Sequence, residues 1–167
     1  MMRRIAPALL LSLGLLSGCG LRPVYAGGGS GPVARALGQV TVAPIPGKAG
    51  YLMQGALNDR LGGGAAAPRR LEVELEDRIT GFGLRSDQSV TRERRTLRAR
   101  YRLVDAAAGT VLLDATASSD AGIDVVSSEY ALIAAEQTAL ERLSNDIADQ
   151  IVARLALYAQ RSGQPAR

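Results

Sequence analysis

The strongest constraint on the fold is a strict alternation in two stretches near the middle of the chain. Between Arg70 and Ile79, Leu71, Val73 and Leu75 alternate with Glu72, Glu74 and Glu76. Between Thr96 and Val104, Leu97, Ala99, Tyr101 and Leu103 alternate with Arg98, Arg100 and Arg102. A period of two puts apolar side chains on one face and charge on the other, so both stretches predict half-buried antiparallel strands. With the turn near Asp87, Glu76 faces Arg98, Glu74 faces Arg100 and Glu72 faces Arg102. The apolar partners fall into step as Leu75 with Ala99, Val73 with Tyr101 and Leu71 with Leu103. A slip of one residue would drive charge into the core, which fixes the parity of the register.

A second turn over Asp105 to Thr110 leads to a strand over Val111 to Ser118, where Val111, Leu113, Ala115 and Ala117 share the inward parity. Folding about residue 107 sets Asp114 opposite Arg100, so the outer face becomes a Glu-Arg-Asp ladder. Three arginines in a row are able to grip phosphate. Carboxylates on both sides favour the simpler reading, a solvated and self-neutralised face whose pairs contribute about 0.2 to 1 kcal/mol each.

The flanking segments predict the second layer. Gln39 to Ile45 is β-branched and ends at Pro44 and Pro46, which suits an edge strand because proline cannot donate to a ladder. Gly50 to Leu61 carries Leu52, Met53, Ala56, Leu57 and Leu61 at helical spacing, and Gly62-Gly63-Gly64 stops it. Gly122 to Ser128 reads as a connection, extended in part at Ile123 to Val126. From Ser128 to Gln160, Leu132, Glu136, Leu140, Leu143, Ile147, Ile151, Leu155 and Tyr158 form one nearly continuous stripe of a long helix. The order β-α-β-β-β-α predicts an α+β two-layer sandwich: about four mostly antiparallel strands with two helices on one face. The domain spans 37–161, and 162–167 read as a tail.

The beginning of the chain has a different logic. Met1-Met2-Arg3-Arg4 is positive, and the apolar run Ile5 to Leu16 is too short for a permanent span, which needs about 20 residues. Leu16-Ser17-Gly18-Cys19 then looks like the end of a bacterial lipoprotein signal, making 1–18 a signal peptide and Cys19 a lipid anchor. Several acyl chains, at about 0.8 kcal/mol per buried methylene, hold a protein to a membrane where one chain does not. Residues 19–36, with Gly27-Gly28-Gly29-Ser30-Gly31, read as a flexible tether. Gly20 in place of an aspartate after the anchor favours the outer membrane.

Composition narrows the chemistry. The formal charge of +4 falls to about +2 once Arg3 and Arg4 are removed, too little to argue for nucleic acid. The chain has no histidine and one cysteine, so histidine-based nucleophiles, the usual zinc sites and internal disulfides drop out. Neither Gly-rich run has the context or lysine of a phosphate loop. Glu72, Glu74 and Glu76 as a glycosidase pair are disfavoured, because arginine partners lower a carboxyl pKa and a general acid needs it raised. No cofactor and no enzymatic activity are expected.

Cys19-Gly20-Leu21-Arg22-Pro23-Val24-Tyr25 resembles a frequent opening of the LPS-assembly lipoprotein family, LptE. The element order, the long hairpin, the strand end Tyr101-Arg102-Leu103-Val104-Asp105 and the C-terminal helix are similar to that family as well. The resemblance implies a plug within a large outer-membrane barrel, LptD, that helps the barrel assemble and delivers lipopolysaccharide to the outer leaflet. It implies barrel contact through the polar sheet face, Arg98, Arg100 and Arg102 among it. Lipopolysaccharide phosphates would seek arginines not matched by acids, and Arg85, Arg92, Arg94 and Arg95 form the densest such group, with a solvated hairpin end as the plainer reading. The competing function is an auxiliary periplasmic lipoprotein of a lipid-transport or secretion complex.

Overall fold

The computed structural model describes residues 31–64, 66–84 and 90–162. The signal, Cys19, the opening heptad, Arg85 and the turn near Asp87 lie outside them. Seven elements follow in order: α1 (Pro32–Leu37), β1 (Val40–Val42), α2 (Gly47–Asn58), β2 (Arg69–Leu84), β3 (Val90–Asp105), β4 (Val111–Asp124) and α3 (Glu129–Ser162). The strands make one sheet in the order β1-β2-β3-β4. The short β1 runs parallel to β2, and the other pairs are antiparallel.

The register of the central hairpin is the one that alternation requires. Glu72 pairs with Arg102, Glu74 with Arg100, Glu76 with Arg98, and the three apolar pairs alternate with them. The strands run further than alternation suggests, β2 to Leu84, β3 from Val90 and β4 to Asp124. Apolar alternation fails at Asp77 and Arg95, which stand at inward positions. The backbone ladder is indifferent to that change, and the two charges neutralise each other across the strands. In β4 the inward set continues through Ala121 and Ile123, both buried.

The second turn corrects one pairing. Asp105 Oδ1 accepts the backbone N–H groups of Ala107 and Ala108 at 3.0 and 2.9 Å, and Gly109 takes a positive φ of 68°. A register shift at Leu103/Val104 absorbs the extra residue. Asp114 therefore stands opposite Arg102, and Arg100 opposite Thr116.

Three helices cover the inward face, not two. Residues 32–36, which sequence reading assigns to the tether, belong to α1, and Val33 and Leu37 are buried in the common core. Proline at the first position of α1 costs nothing there, because that N–H has no intrahelical partner. Met53 and Leu57 of α2 meet Leu71, Leu97 and Leu103 of the sheet and Leu140, Leu143, Ile147 and Ile151 of α3, all almost inaccessible to water. Each such side chain contributes about 1.5 to 3 kcal/mol by leaving water. Arg60, just past α2, ties that helix to α3 through Asp149 at 2.7 Å and Asn145 at 3.3 Å. The Gly62-Gly63-Gly64 run has a packing role: a Cβ at Gly63 would fall on the Val40 carbonyl.

Candidate functional site

Even-numbered residues of β2 and β3, and of β4 from Asp114 onward, build one charged face away from the helices; before the register shift the parity is reversed, so Leu112 packs on the core and Val111, expected inward, is exposed. At one end Arg102 reaches Glu72 at 3.3 Å and Glu74 at 3.4 Å, while Arg70 also holds Glu72 at 2.9 Å. Arg100 forks onto both oxygens of Asp114, at 2.8 and 3.3 Å, reaching diagonally across the corrected register. That hydrogen bond, with the charges of Arg100 and Arg102, holds the Asp114 carboxyl below its usual range. Glu76 takes Arg78 of its own strand at 2.7 Å. Arg98, although directly opposite Glu76, has no ion pair among the described residues.

The expected arginine cluster near the hairpin end divides in two, and its premise of unmatched arginines is corrected. Arg92 pairs with Asp124 at 2.8 Å, and the hydrogen bond raises the Arg92 pKa further. Arg94 lies 3.9 Å from Asp120 and stacks over Phe82 with its guanidinium carbon 5.4 Å from the ring centre. Both are well exposed. Arg95 points the other way. Its side chain is 11% exposed and forks onto Asp77 at 2.9 and 2.6 Å, while its third nitrogen donates to the Glu136 carbonyl of α3 at 2.8 Å. Parity separates these neighbours: in a strand, residues 92 and 94 share one face and residue 95 the other. Arg95 is thus a strut between sheet and helix.

Acid partners Asp77 and Asp120 were within reach of sequence reasoning. Extending the hairpin register puts Asp77 diagonal to Arg95, and extending β4 in the register folded about residue 107 puts Asp120 opposite Arg94; only the register shift brings Asp124 opposite Arg92. The signal was masked because apolar alternation had already ended.

The fold defines a class, a small α+β sandwich shared with solved structures of bacterial lipoproteins. A crystal structure of a putative lipoprotein from Caulobacter crescentus CB15 superposes with a TM-score of 0.67 at 25% identity, covering 81% of this chain and 100% of that one. The rare lipoprotein B of Shewanella oneidensis shares the fold with a TM-score of 0.56 at 8% identity, covering 75% and 97%. A minor lipoprotein of Acinetobacter baumannii does so with a TM-score of 0.56 at 12% identity, covering 72% and 92%. No curated protein matches the chain significantly. The model of the LptE family, described as lipopolysaccharide-assembly, matches residues 37–155, from the end of α1 almost to the end of α3. The chain belongs to the LptE family.

Proposed function

We propose that this chain is an acylated outer-membrane lipoprotein that plugs the lipopolysaccharide translocon barrel, assists its assembly and helps deliver lipopolysaccharide to the outer leaflet. The family match over residues 37–155 carries this reading. Cys19 supplies the anchor and the preceding 18 residues the export signal. A barrel interior is polar, and the outer sheet face, with its Glu-Arg-Asp rows, suits such a lumen. Arg98, Arg100 and Arg102 make the wall contact, Arg98 first because no described acid holds it. The protein acts as a scaffold and carries no catalytic residue.

Lipopolysaccharide phosphates are assigned to Arg92 and Arg94, with Arg85 as the neighbour in sequence. Each of the first two is exposed and faces one exposed carboxylate, so a phosphate offering more oxygens competes by charge-assisted hydrogen bonds. Arg95 is withdrawn from this set, since its donors are already used beneath α3. The test is binding of purified lipopolysaccharide to the full chain in detergent. Replacing Arg92 and Arg94 together by serine is expected to weaken binding about tenfold, roughly 1.4 kcal/mol, with a smaller salt dependence and an unchanged melting temperature. Undiminished binding would remove the assignment.

A further inference from the structure

We infer that the cavity between α2 and α3 is a binding site for a neutral saccharide. It lies in the helix layer, on the opposite face of the sheet from Arg92 and Arg94, and the inference does not rest on the phosphate assignment made there.

The cavity has a volume of about 470 Å³, within the range of about 300 to 1,000 Å³ usual for small-ligand sites. Its walls follow from helical spacing. On α2, Tyr51, Gln54 and Asn58 recur at three- and four-residue steps and so share one face, with Asp59 beside them at the C-cap. Glu141 and Asn145 of α3 stand one turn apart on the other wall. Gly55 lies in the middle of the α2 wall, and a Cβ there would meet nothing within 4 Å. Glycine inside a helix is less stable than alanine, and no turn or close contact requires it at this position. Its effect is to leave the wall open where a ligand would sit.

The polar groups of the lining determine what fits. Among the described residues, the side chains of Tyr51, Gln54, Asn58 and Asp59 make no hydrogen bond or ion pair. Glu141 accepts from Gln137 Nε2 through Oε1 alone, at 2.7 Å. The adjoining cation, Arg60, is already occupied: its three nitrogens donate to Asp149 at 2.7 Å, to Asn145 at 3.3 Å and to the Ala56 carbonyl at 2.7 Å. The cavity thus offers two carboxylates and no free cation, which disfavours phosphate or any other anion. A guanidinium or ammonium group only donates, and would leave the amide N–H groups of Gln54 and Asn58 facing further donors. Hydroxyls donate and accept, so neighbouring hydroxyls of one sugar ring match the carboxylates and the amides together.

Tyr51, 79% exposed, supplies the remaining element. A pyranose carries hydroxyls around its rim and C–H groups on its faces. Those C–H groups meet the electron-rich face of an aromatic ring favourably.

The experiment records backbone and side-chain amide resonances of the isotopically labelled full chain, held in a detergent without a sugar head group. Neutral disaccharides of glucose, galactose and N-acetylglucosamine are added to about 10 mM, where a ligand of millimolar Kd fills most sites. Shifts are expected at Gln54, Asn58 and Asn145 for at least one of them, and none at Arg92 or Arg94. Tyr51→Ala and Asn58→Ala should each weaken that response about tenfold. Gly55→Leu, which fills the cavity, should abolish it, while Gly55→Ala should melt no lower than the natural chain. Lipid-free lipopolysaccharide core oligosaccharide and a free glucan oligosaccharide separate a glycolipid source from a soluble one, and binding of either upholds the site. Shifts at the same residues from methylguanidinium, with none from any sugar, would assign the cavity to a basic side chain and overturn the proposal. Sugar-induced shifts that survive Gly55→Leu would overturn it too, as would no shift with any saccharide.

Discussion

Arg95 spends its three nitrogens on two different layers, a carboxylate of β2 and a helix carbonyl of α3. Its exposed neighbours Arg92 and Arg94 hold only surface acids. An exposed pair is screened by water and contributes little, while removing one partner of a shielded pair strands the other charge. Arg95→Met is therefore expected to destabilise the protein by about 1 to 3 kcal/mol and lower the melting temperature by several degrees. Arg92→Ser should stay within about 0.5 kcal/mol. Combining Arg95→Met with Asp77→Leu should recover most of the loss, because no lone carboxylate remains. Thermal unfolding of the three variants checks this. A double variant as destabilised as Arg95→Met alone would show that the helix carbonyl, and not the fork, carries the effect.

Among the elements, α3 is two helices in energetic terms. From Ala139 to Ala156 it buries a side chain at nearly every third or fourth residue, and the buried Ser144 hydroxyl satisfies itself by donating to the Leu140 carbonyl at 2.8 Å. Its first ten residues bury none, and Tyr130 and Ile133 stand well out in water. This end rests on the Arg95 strut, with Glu93 Oε2 and Gln137 Oε1 buried beneath it and unpartnered among the described residues. Ile147→Ala should cost about 2 to 5 kcal/mol, through lost burial and the cavity left behind. Ile133→Ala should cost less than about 0.5 kcal/mol. Denaturant unfolding distinguishes the two. The sequence stripe from Leu132 to Tyr158 is real, but periodicity records only which face turns inward. Where that face meets something is a property of the sheet's polar end.

At the scale of the whole molecule, a 34-residue helix of about 51 Å matches a 16-residue strand of about 53 Å, so α3 spans the hairpin lengthwise. α1 closes the same core from the side where the chain enters, which brings the folded unit to within about a dozen residues of Cys19. Cys19→Ser in the living cell is expected to release most of the protein from the membrane fraction and to leave its fold unchanged, as judged by its melting temperature. Retention in the membrane would show that the sandwich holds its place through a partner alone.

Parity in the central hairpin, its register and its apolar face were determined by the sequence itself. A strand or helix imposes its period on whatever residues occupy it, and a one-residue slip here would bury a row of charges. Tertiary structure alone decided that α1 joins the core, that Asp114 is displaced by the turn at Gly109, and that Glu76 prefers Arg78 to the facing Arg98. It also decided that one arginine of a sequence cluster works beneath a helix while its neighbours face water. Those outcomes depend on distances across elements, where several acids compete for each guanidinium, and a local pattern carries no record of which is nearest.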